Sequence, residues 1–220
     1  MKINIAIDGP SAAGKSTVAK ELAKRLGYTH LDTGSMYRAV AYITKEANIK
    51  IDDEEKIVNL INMSNIEISN DNHITVNGKD ITEIIRSNEI SMAASDVSKL
   101  KRVREALVAM QRKIASQKGY ILDGRDIGPV VLKDAEVKIF LTASVEARAK
   151  RRYLQDKEAG MDVSLEVLKE EIEKRDYQDT HREVSPLKKA DDAIVVDSSD
   201  LSIDEVVSEI LDIINKKVME

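Results

Sequence analysis

The 220-residue chain has no cysteine, no tryptophan, a single phenylalanine and three prolines. Without thiols it can form no disulfide, no thiolate zinc or iron–sulfur site and no cysteine nucleophile. Its three histidines, His30, His73 and His181, are scattered without a metal-ligand spacing. No apolar run approaches the roughly 20 residues that a membrane-spanning helix needs. The opening MKINIAIDGP turns polar too soon for a signal peptide, so the protein is expected to work in the cytoplasm. Hydrophobic residues at 42% and charged residues at 33%, with little proline, exclude the disordered and fibrous classes. A net charge of −5 argues against general affinity for nucleic acid or anionic membrane, so neither is expected as a partner. Chemistry must then come from Lys, Arg, Asp, Ser and the backbone. The length suits one domain with room for an inserted lobe, and a monomer is the expected state.

What the chain does contain is a strand and helix rhythm. Ile3, Ile5 and Ile7 alternate around Asn4 and Ala6 and read as a buried strand ending at Asp8. From Lys15 the apolar spacing changes to Val18, Leu22 and Leu26, and Gly27 sits where a helix would stop. Tyr28 to Leu31, Tyr120 to Leu122, Val137 to Leu141 and Ala193 to Val196 complete a set of five strands, with helical periodicity after them. Strands alternating with helices predict an α/β fold: a five-stranded parallel sheet with helices on both faces. Between about Asn65 and Ile81 the period becomes two, with Asn70-Asp71-Asn72 and Asn77-Gly78 as turn signals, which predicts a small antiparallel β insert. Its flanks, Glu54 to Met63 and Ile84 to Val97, read as helical, so an inserted lobe is expected at 64–97.

Between the first strand and the first helix, Gly9-Pro10-Ser11-Ala12-Ala13-Gly14-Lys15-Ser16 fits G-x-x-x-x-G-K-[ST], with Thr17 next. The glycines let successive N–H groups curl around phosphate oxygens at a helix N-terminus. Lys15 neutralises the β and γ phosphates of a nucleotide and the Ser16 hydroxyl ligates Mg²⁺. The same loop serves kinases, motors and GTPases. An N-K-x-D segment for guanine is absent, and a helicase or large ATPase would need more chain, which leaves a small-molecule kinase.

A kinase needs a second anion site. Arginines gather at Arg38, Arg102, Arg104, Arg125, Arg148, Arg151, Arg152, Arg175 and Arg182, mostly after predicted strands or on flanking helices. Parallel sheets bind ligands beyond their carboxyl ends, and the planar guanidinium fork suits phosphate. In EARAKRRYLQDKEAG, Arg148, Arg151 and Arg152 fall on one helical face, and Gly160 breaks the helix beyond them. This predicts a short lid, 148–162, closing over ATP.

LDTGSMYR (Leu31 to Arg38), Ser95 with Arg102 to Glu105, DGRDIG (Asp123 to Gly128), VKIFLTAS (Val137 to Ser144) and RDYQDTHR (Arg175 to Arg182) follow the phosphate loop. In order and spacing these motifs resemble the bacterial cytidylate kinase family, within the nucleoside monophosphate kinase branch of the P-loop NTPases. The resemblance covers essentially the whole chain, insert included. It implies one kinase domain over 1–220, with 64–97 as the monophosphate-binding lobe, and transfer of the γ-phosphate of ATP to CMP or dCMP with Mg²⁺. By matching positions, Gly9 to Thr17 bind ATP, and Lys15, Arg125, Arg148, Arg151 and Arg152 serve the transfer. Arg38 and Arg125 hold the acceptor phosphate, with Thr33 and Tyr37 beside them. Ser95, Arg104, Asp126 and Arg182 surround cytosine, and Arg175 with Asp179 reaches the sugar. Two departures stand out: Pro129 where many relatives have Thr, and Ser35 in place of a more usual Ala.

The absence of a convincing catalytic histidine fits this chemistry, because a phosphate monoester is mostly dianionic at neutral pH and needs no general base. His181, inside the Arg-rich segment, reads as a surface residue. Other readings are a kinase for another nucleoside monophosphate or small metabolite, and a nucleotide-controlled RNA-binding module. The latter draws on residues 99–118, where Lys99, Lys101, Arg102, Arg104, Arg112, Lys113 and Lys118 face a single Glu105. Leu100, Val103, Leu107, Met110 and Ile114 form an apolar stripe on that helix, which reads as core packing. Helical geometry turns Arg102 and Arg104 to different faces, so no more than one of them can face the acceptor.

Overall fold

The computed structural model describes residues 2–69, 73–158 and 160–219. In chain order the elements are β1 (Ile5–Asp8), α1 (Lys15–Leu26), β2 (Thr29–Asp32), α2 (Thr33–Glu46), α3 (Glu54–Met63), β3 (Ile66–Ile68), β4 (Ile74–Val76), β5 (Lys79–Asp80), α4 (Asn88–Val97), α5 (Lys101–Ala115), β6 (Tyr120–Gly124), β7 (Val137–Thr142), α6 (Val145–Glu158), α7 (Leu165–His181), β8 (Ile194–Asp197) and α8 (Ile203–Met219). A five-stranded sheet has the order β2-β6-β1-β7-β8, and a three-stranded sheet the order β3-β4-β5. β1 pairs in parallel with β6 and β7, and β7 in parallel with β8. The α/β architecture read from the sequence is the one observed, with strands at the five apolar runs and an antiparallel sheet in the insert. Among the described residues no helix is long and apolar enough to cross a membrane.

Two compact units make up the chain: Met1–Tyr28 with Gly119–Glu220, and Thr29–Lys118. In the first, Ile5, Ile7, Ile121, Ile139 and Leu141 of the strands meet Val18 and Leu22 of α1 and Val206, Val207 and Ile210 of α8. Ala6 and Leu122, which alternate with those strand residues, are equally buried. Strands covered on both faces have no polar face to show, hence their near-continuous apolar runs. Each such side chain contributes roughly 1.5–3 kcal/mol of burial. α1 stops where expected, at Gly27 with φ 64°.

In the second unit α2 packs on α4 and α3 on α5. The β4–β5 hairpin turns at Asn77 and Gly78, both with positive φ, as the Asn-Gly pair predicts. The other turn signal, Asn70-Asp71-Asn72, lies outside the described residues. The helical reading of Ile84 to Val97 divides into a 3₁₀ turn, Ile84–Arg86, and α4, because Ser87 takes extended backbone between them and caps α4 by accepting from the Ile90 N–H. On α5 the buried face runs through Val103, Arg104, Leu107, Val108, Gln111 and Ala115. Met110 and Ile114 of the expected stripe are only half-buried. The helix is thus rotated by part of a turn from its apolar stripe, bringing Arg104 and Gln111 inward and leaving Arg102 exposed.

Candidate active site

The loop from Gly9 to Thr17 joins β1 to α1. A Cβ on Gly9 would lie 1.9 Å from the Leu141 carbonyl oxygen, so no other residue fits there. Three carbonyls of the loop are taken by donors of the protein. Lys15 Nζ donates to Pro10 at 2.6 Å, Arg148 Nη1 to Ser11 at 3.2 Å, and Ser198 Oγ to Ala13 at 3.2 Å, with Arg151 Nη1 also reaching Ala13. In a trans peptide the N–H points opposite to the C=O. Tying those carbonyls therefore turns the N–H groups of Ser11, Ala12 and Gly14 the other way, as an anion cradle requires. Lys15 is buried, and burial together with the nearby Arg125 charge pushes its pKa down to about 7, against the opposing pull of Asp123, Asp8 and Asp179. A phosphate on the loop opposes that push.

β1 and β6 each end an apolar run in a buried aspartate. Ser16 Oγ donates to Asp123 Oδ2 at 2.8 Å, which joins a hydroxyl and a carboxylate oxygen at the loop, donors of the hard type that Mg²⁺ prefers. Asp8 accepts from the Ile127 and Gly128 N–H groups, each at 2.7 Å. Burial raises the Asp8 pKa to about 6, although the two N–H bonds pull it down. The loop that carries Arg125 and Asp126 is thereby clamped to the end of β1. A π turn, Ile127–Val131, follows. Its bonds come from the N–H groups of Val130 and Val131 to the Asp126 carbonyl and from Leu132 to Ile127, so Pro129 withholds none of them. The buried Asp126 carboxylate makes no capping bond to this turn.

The arginines of the expected lid occupy different places. Arg148 is buried: Nε donates to Ala143 at 2.9 Å, and Nη2 pairs with Asp176 of α7 at 2.6 Å. Arg151 bonds the Ser198 carbonyl and hydroxyl. Arg152 is half-exposed and pairs with Asp156, one turn on. α6 closes through Gly160, whose N–H reaches the Lys157 carbonyl, while the Met161 N–H reaches Asp156. On α7, Asp179 pairs with Arg125 Nε at 2.7 Å. Burial raises the Asp179 pKa, but Arg125, Arg175 and Arg182 outweigh it and hold the carboxyl below its ordinary value. Arg175 is exposed, and Arg182 Nε donates to the Ser185 carbonyl. His181 is exposed and stacks on Tyr177.

The second unit holds its own cluster. Asp32 caps α2 by accepting from the Ser35 N–H, and the same carboxylate accepts from Ser35 Oγ and from Arg38 Nη2 at 2.9 Å. Arg38 also bonds Ser35 Oγ, so the serine ties carboxylate to guanidinium. Burial raises the Asp32 pKa, but Arg38 and Ser35 hold it below the ordinary range. Thr33, the first residue of α2, is buried. Arg104 lies over the Tyr37 ring, 5.4 Å from its centroid, and donates to the Ser98 carbonyl. Ser98 Oγ donates to the Ser95 carbonyl. Tyr37, Ser95 and Arg104 are thus joined through one small network.

A family model described as cytidylate kinase matches residues 5–216. The chain belongs to the cytidylate kinase family. It is 52% identical to the cytidylate kinase of Caldicellulosiruptor saccharolyticus over 220 residues, covering 99% of this chain and 97% of that one. It is also 52% identical to the cytidylate kinase of a Geobacillus species over 219 residues, covering 98% of each. Among solved structures, an uncharacterized protein from Eubacterium ventriosum matches with a TM-score of 0.57 at 14% identity, over 97% of this chain and 99% of that one, a likeness of fold alone.

Three residues of this cytidylate kinase family member escaped the sequence reading: Asp8, Asp123 and Asp176. For the first two a signal existed, since an acid that closes an otherwise apolar strand is buried and must have donors. Asp176 gave none, because its partner Arg148 lies on another helix.

Proposed function

We propose that this enzyme transfers the γ-phosphate of ATP to CMP and dCMP, giving the diphosphates. The observation that carries the reading is a register: Asp8 pairs with Gly124 across β1 and β6. The phosphate loop starts at the residue after Asp8 and Arg125 is the residue after Gly124, so donor loop and acceptor arginine leave adjacent strands at one level, at the carboxyl edge where such sheets bind ligands.

Two polyanions must approach, and unit charges 4 Å apart repel by about 4 kcal/mol at an effective dielectric of 20. Gly9 to Thr17 hold the donor phosphates with N–H groups, and Lys15 neutralises their charge. Arg125 and Arg38 hold the acceptor phosphate, whose dianion attacks without a general base. Arg151 and Arg148 brace the phosphate loop through its carbonyls, and Arg152, the least committed of the three, adds charge from a lid formed by 148–162. Residues 64–97 serve as the monophosphate-binding lobe. Ser16 and Asp123 are the oxygens that would hold Mg²⁺, which when bound supplies charge neutralisation to the phosphates.

For the base, Asp126 accepts from the exocyclic amine of cytosine, where uracil presents an acceptor instead. Arg104, a pure donor stacked on Tyr37, complements cytosine O2 and N3, with Ser95 and Arg182 around it. Arg175 and Asp179 reach the sugar. Measuring ADP release against a panel of nucleoside monophosphates tests the reaction, with CMP and dCMP expected as the acceptors. Asp126→Asn tests the base contact. It should lower kcat/KM for CMP by roughly 5- to 150-fold more than for UMP, since one mismatched buried pair costs roughly 1 to 3 kcal/mol. Equal loss for both acceptors would assign base selection elsewhere.

A further inference from the structure

We propose that α7 is a strut coupling the two substrates: Arg148 ties the Ser11 carbonyl of the phosphate loop to Asp176, and Asp179 on the same face ties α7 to Arg125. Occupancy of the donor loop thereby sets the affinity for the acceptor. Arg148 and Asp176 are positioning residues in this scheme. The inference rests on the reading that Arg125 holds the acceptor phosphate.

The sequence of α7 lays out one stripe. Leu168, Ile172, Asp176 and Asp179 are spaced four, four and three residues apart and therefore share a helix face. From Glu170 to His181 only Ile172, Asp176 and Asp179 are withdrawn from solvent. The apolar end of the stripe, with Ala149 of α6, is the cluster on which Ala12 of the phosphate loop packs. Ala12 holds φ 59°, a conformation that a residue with a Cβ rarely adopts, so this contact is made by a strained part of the loop. The polar end carries both ion pairs, Asp176 with Arg148 at 2.6 Å and Asp179 with Arg125 at 2.7 Å.

Arg148 has the geometry of a lever. Its side chain is 4% exposed, and its planar fork bonds Ala143, Ser11 and Asp176 at once. A rigid guanidinium cannot follow a moving Ser11 carbonyl without changing its contact to Asp176. Asp176 leaves a place for that change, because its Oδ1 is buried with no hydrogen-bond partner while Oδ2 takes Nη2. When nucleotide phosphates draw on the Ala12 N–H, the Ser11 carbonyl shifts with its peptide, and Nη1 comes within reach of Oδ1 as well. The pair becomes bidentate, the stronger and more directional form. α7 is then held in one position, and Asp179 presents Arg125 to the acceptor. By linkage the acceptor must tighten the donor by the same factor.

Calorimetric titration of CMP, with and without a saturating non-hydrolysable ATP analogue, tests this. In the wild type the analogue should tighten CMP by about five- to tenfold, within the usual range of such couplings. Asp176→Asn keeps the shape but removes the charge. It should bring the ratio below about twofold and raise the KM for CMP at saturating ATP, with kcat little changed. A merely structural role would lower the melting temperature and leave the ratio alone. Should Asp176→Asn fail to fold, Arg148→Lys, which keeps the charge and loses the fork, carries the same test and should also abolish the ratio. A wild-type ratio near one, or a wild-type ratio in these variants, overturns the proposal. Arg125→Ala is the separate control: unchanged CMP affinity there would overturn the acceptor reading itself, whereas weakened CMP binding beside an intact ratio in Asp176→Asn would sink the strut alone.

Discussion

In the proposed reaction Gly9 to Thr17 offer peptide groups to phosphate, whereas Arg38 and Arg125 offer side chains that a carboxylate has to aim. The loop is laid out locally: strand, tight turn and helix N-terminus follow one another within a few residues, and Lys15 closes back on Pro10, five residues away, with Arg148, Arg151 and Ser198 adding ties to its carbonyls. Each arginine depends on a partner. Arg38 has Asp32 and Ser35 six and three residues before it, while the carboxylate of Arg125 lies 54 residues further along the chain. A backbone site is written into a short pattern and is formed before ligand arrives. A side-chain site must be assembled by the fold, and its partners set how well it is aimed.

The largest effect is expected at Lys15, the charged side chain of the loop itself. Lys15→Met, which keeps the buried volume, should lower turnover by about 10³-fold, the upper end for losing a preorganised charge contact, with thermal unfolding still cooperative. Turnover near wild type in a coupled ADP-release assay would mean that the N–H cradle alone suffices. Arg125→Ala comes next, with a loss of about 10²-fold, as expected when a substrate is misplaced. Lys188→Ala, an exposed charge, should change turnover less than about twofold. Equal loss in the two variants would show that net charge matters rather than an aimed fork.

Asp8→Asn probes the clamp between the two kinds of site. An amide oxygen can satisfy only part of what the carboxylate does for Ile127 and Gly128, so unfolding should cost about 1–3 kcal/mol less. Turnover should fall with it, because the loop carrying Arg125 loosens. The group also has a pH signature. Its folded pKa of about 6 lies above its ordinary 3.8, so the folded state binds the proton more tightly. The stabilisation from Asp8 is complete below the ordinary value and is lost as pH rises through about 6. Chemical denaturation across that window should show this downward component in the wild type and lack it in Asp8→Asn. The smallest effect is expected for Ser35→Ala. Arg38 keeps Asp32 but loses the hydroxyl between them, so the KM for CMP should rise about two- to fivefold at unchanged kcat, the worth of one net hydrogen bond.

Much of the architecture was legible because it rests on local rules. Gly27 ends α1 and Asn77-Gly78 turns a hairpin, since each needs only backbone freedom at one or two positions. The division of 84–97 at Ser87 was written there too, as a capping residue inside an apparently continuous helical pattern. The rotation of α5 was not, because the apolar stripe fixes a helix only to within part of a turn and the inward place of Arg104 depends on Tyr37 of another helix.

The arginines of α6 show the boundary most clearly. Their spacing established that a basic helix follows β7, and the glycine-lysine pattern established a phosphate loop, because periodicity and turn chemistry act between near neighbours. That Arg148 is buried against Ser11 and Asp176 while Arg152 meets solvent was decided only when α6 and α7 packed. Desolvation and ion pairing depend on what the rest of the chain brings within a few ångströms. Two arginines alike in sequence therefore differ in their tasks once folded.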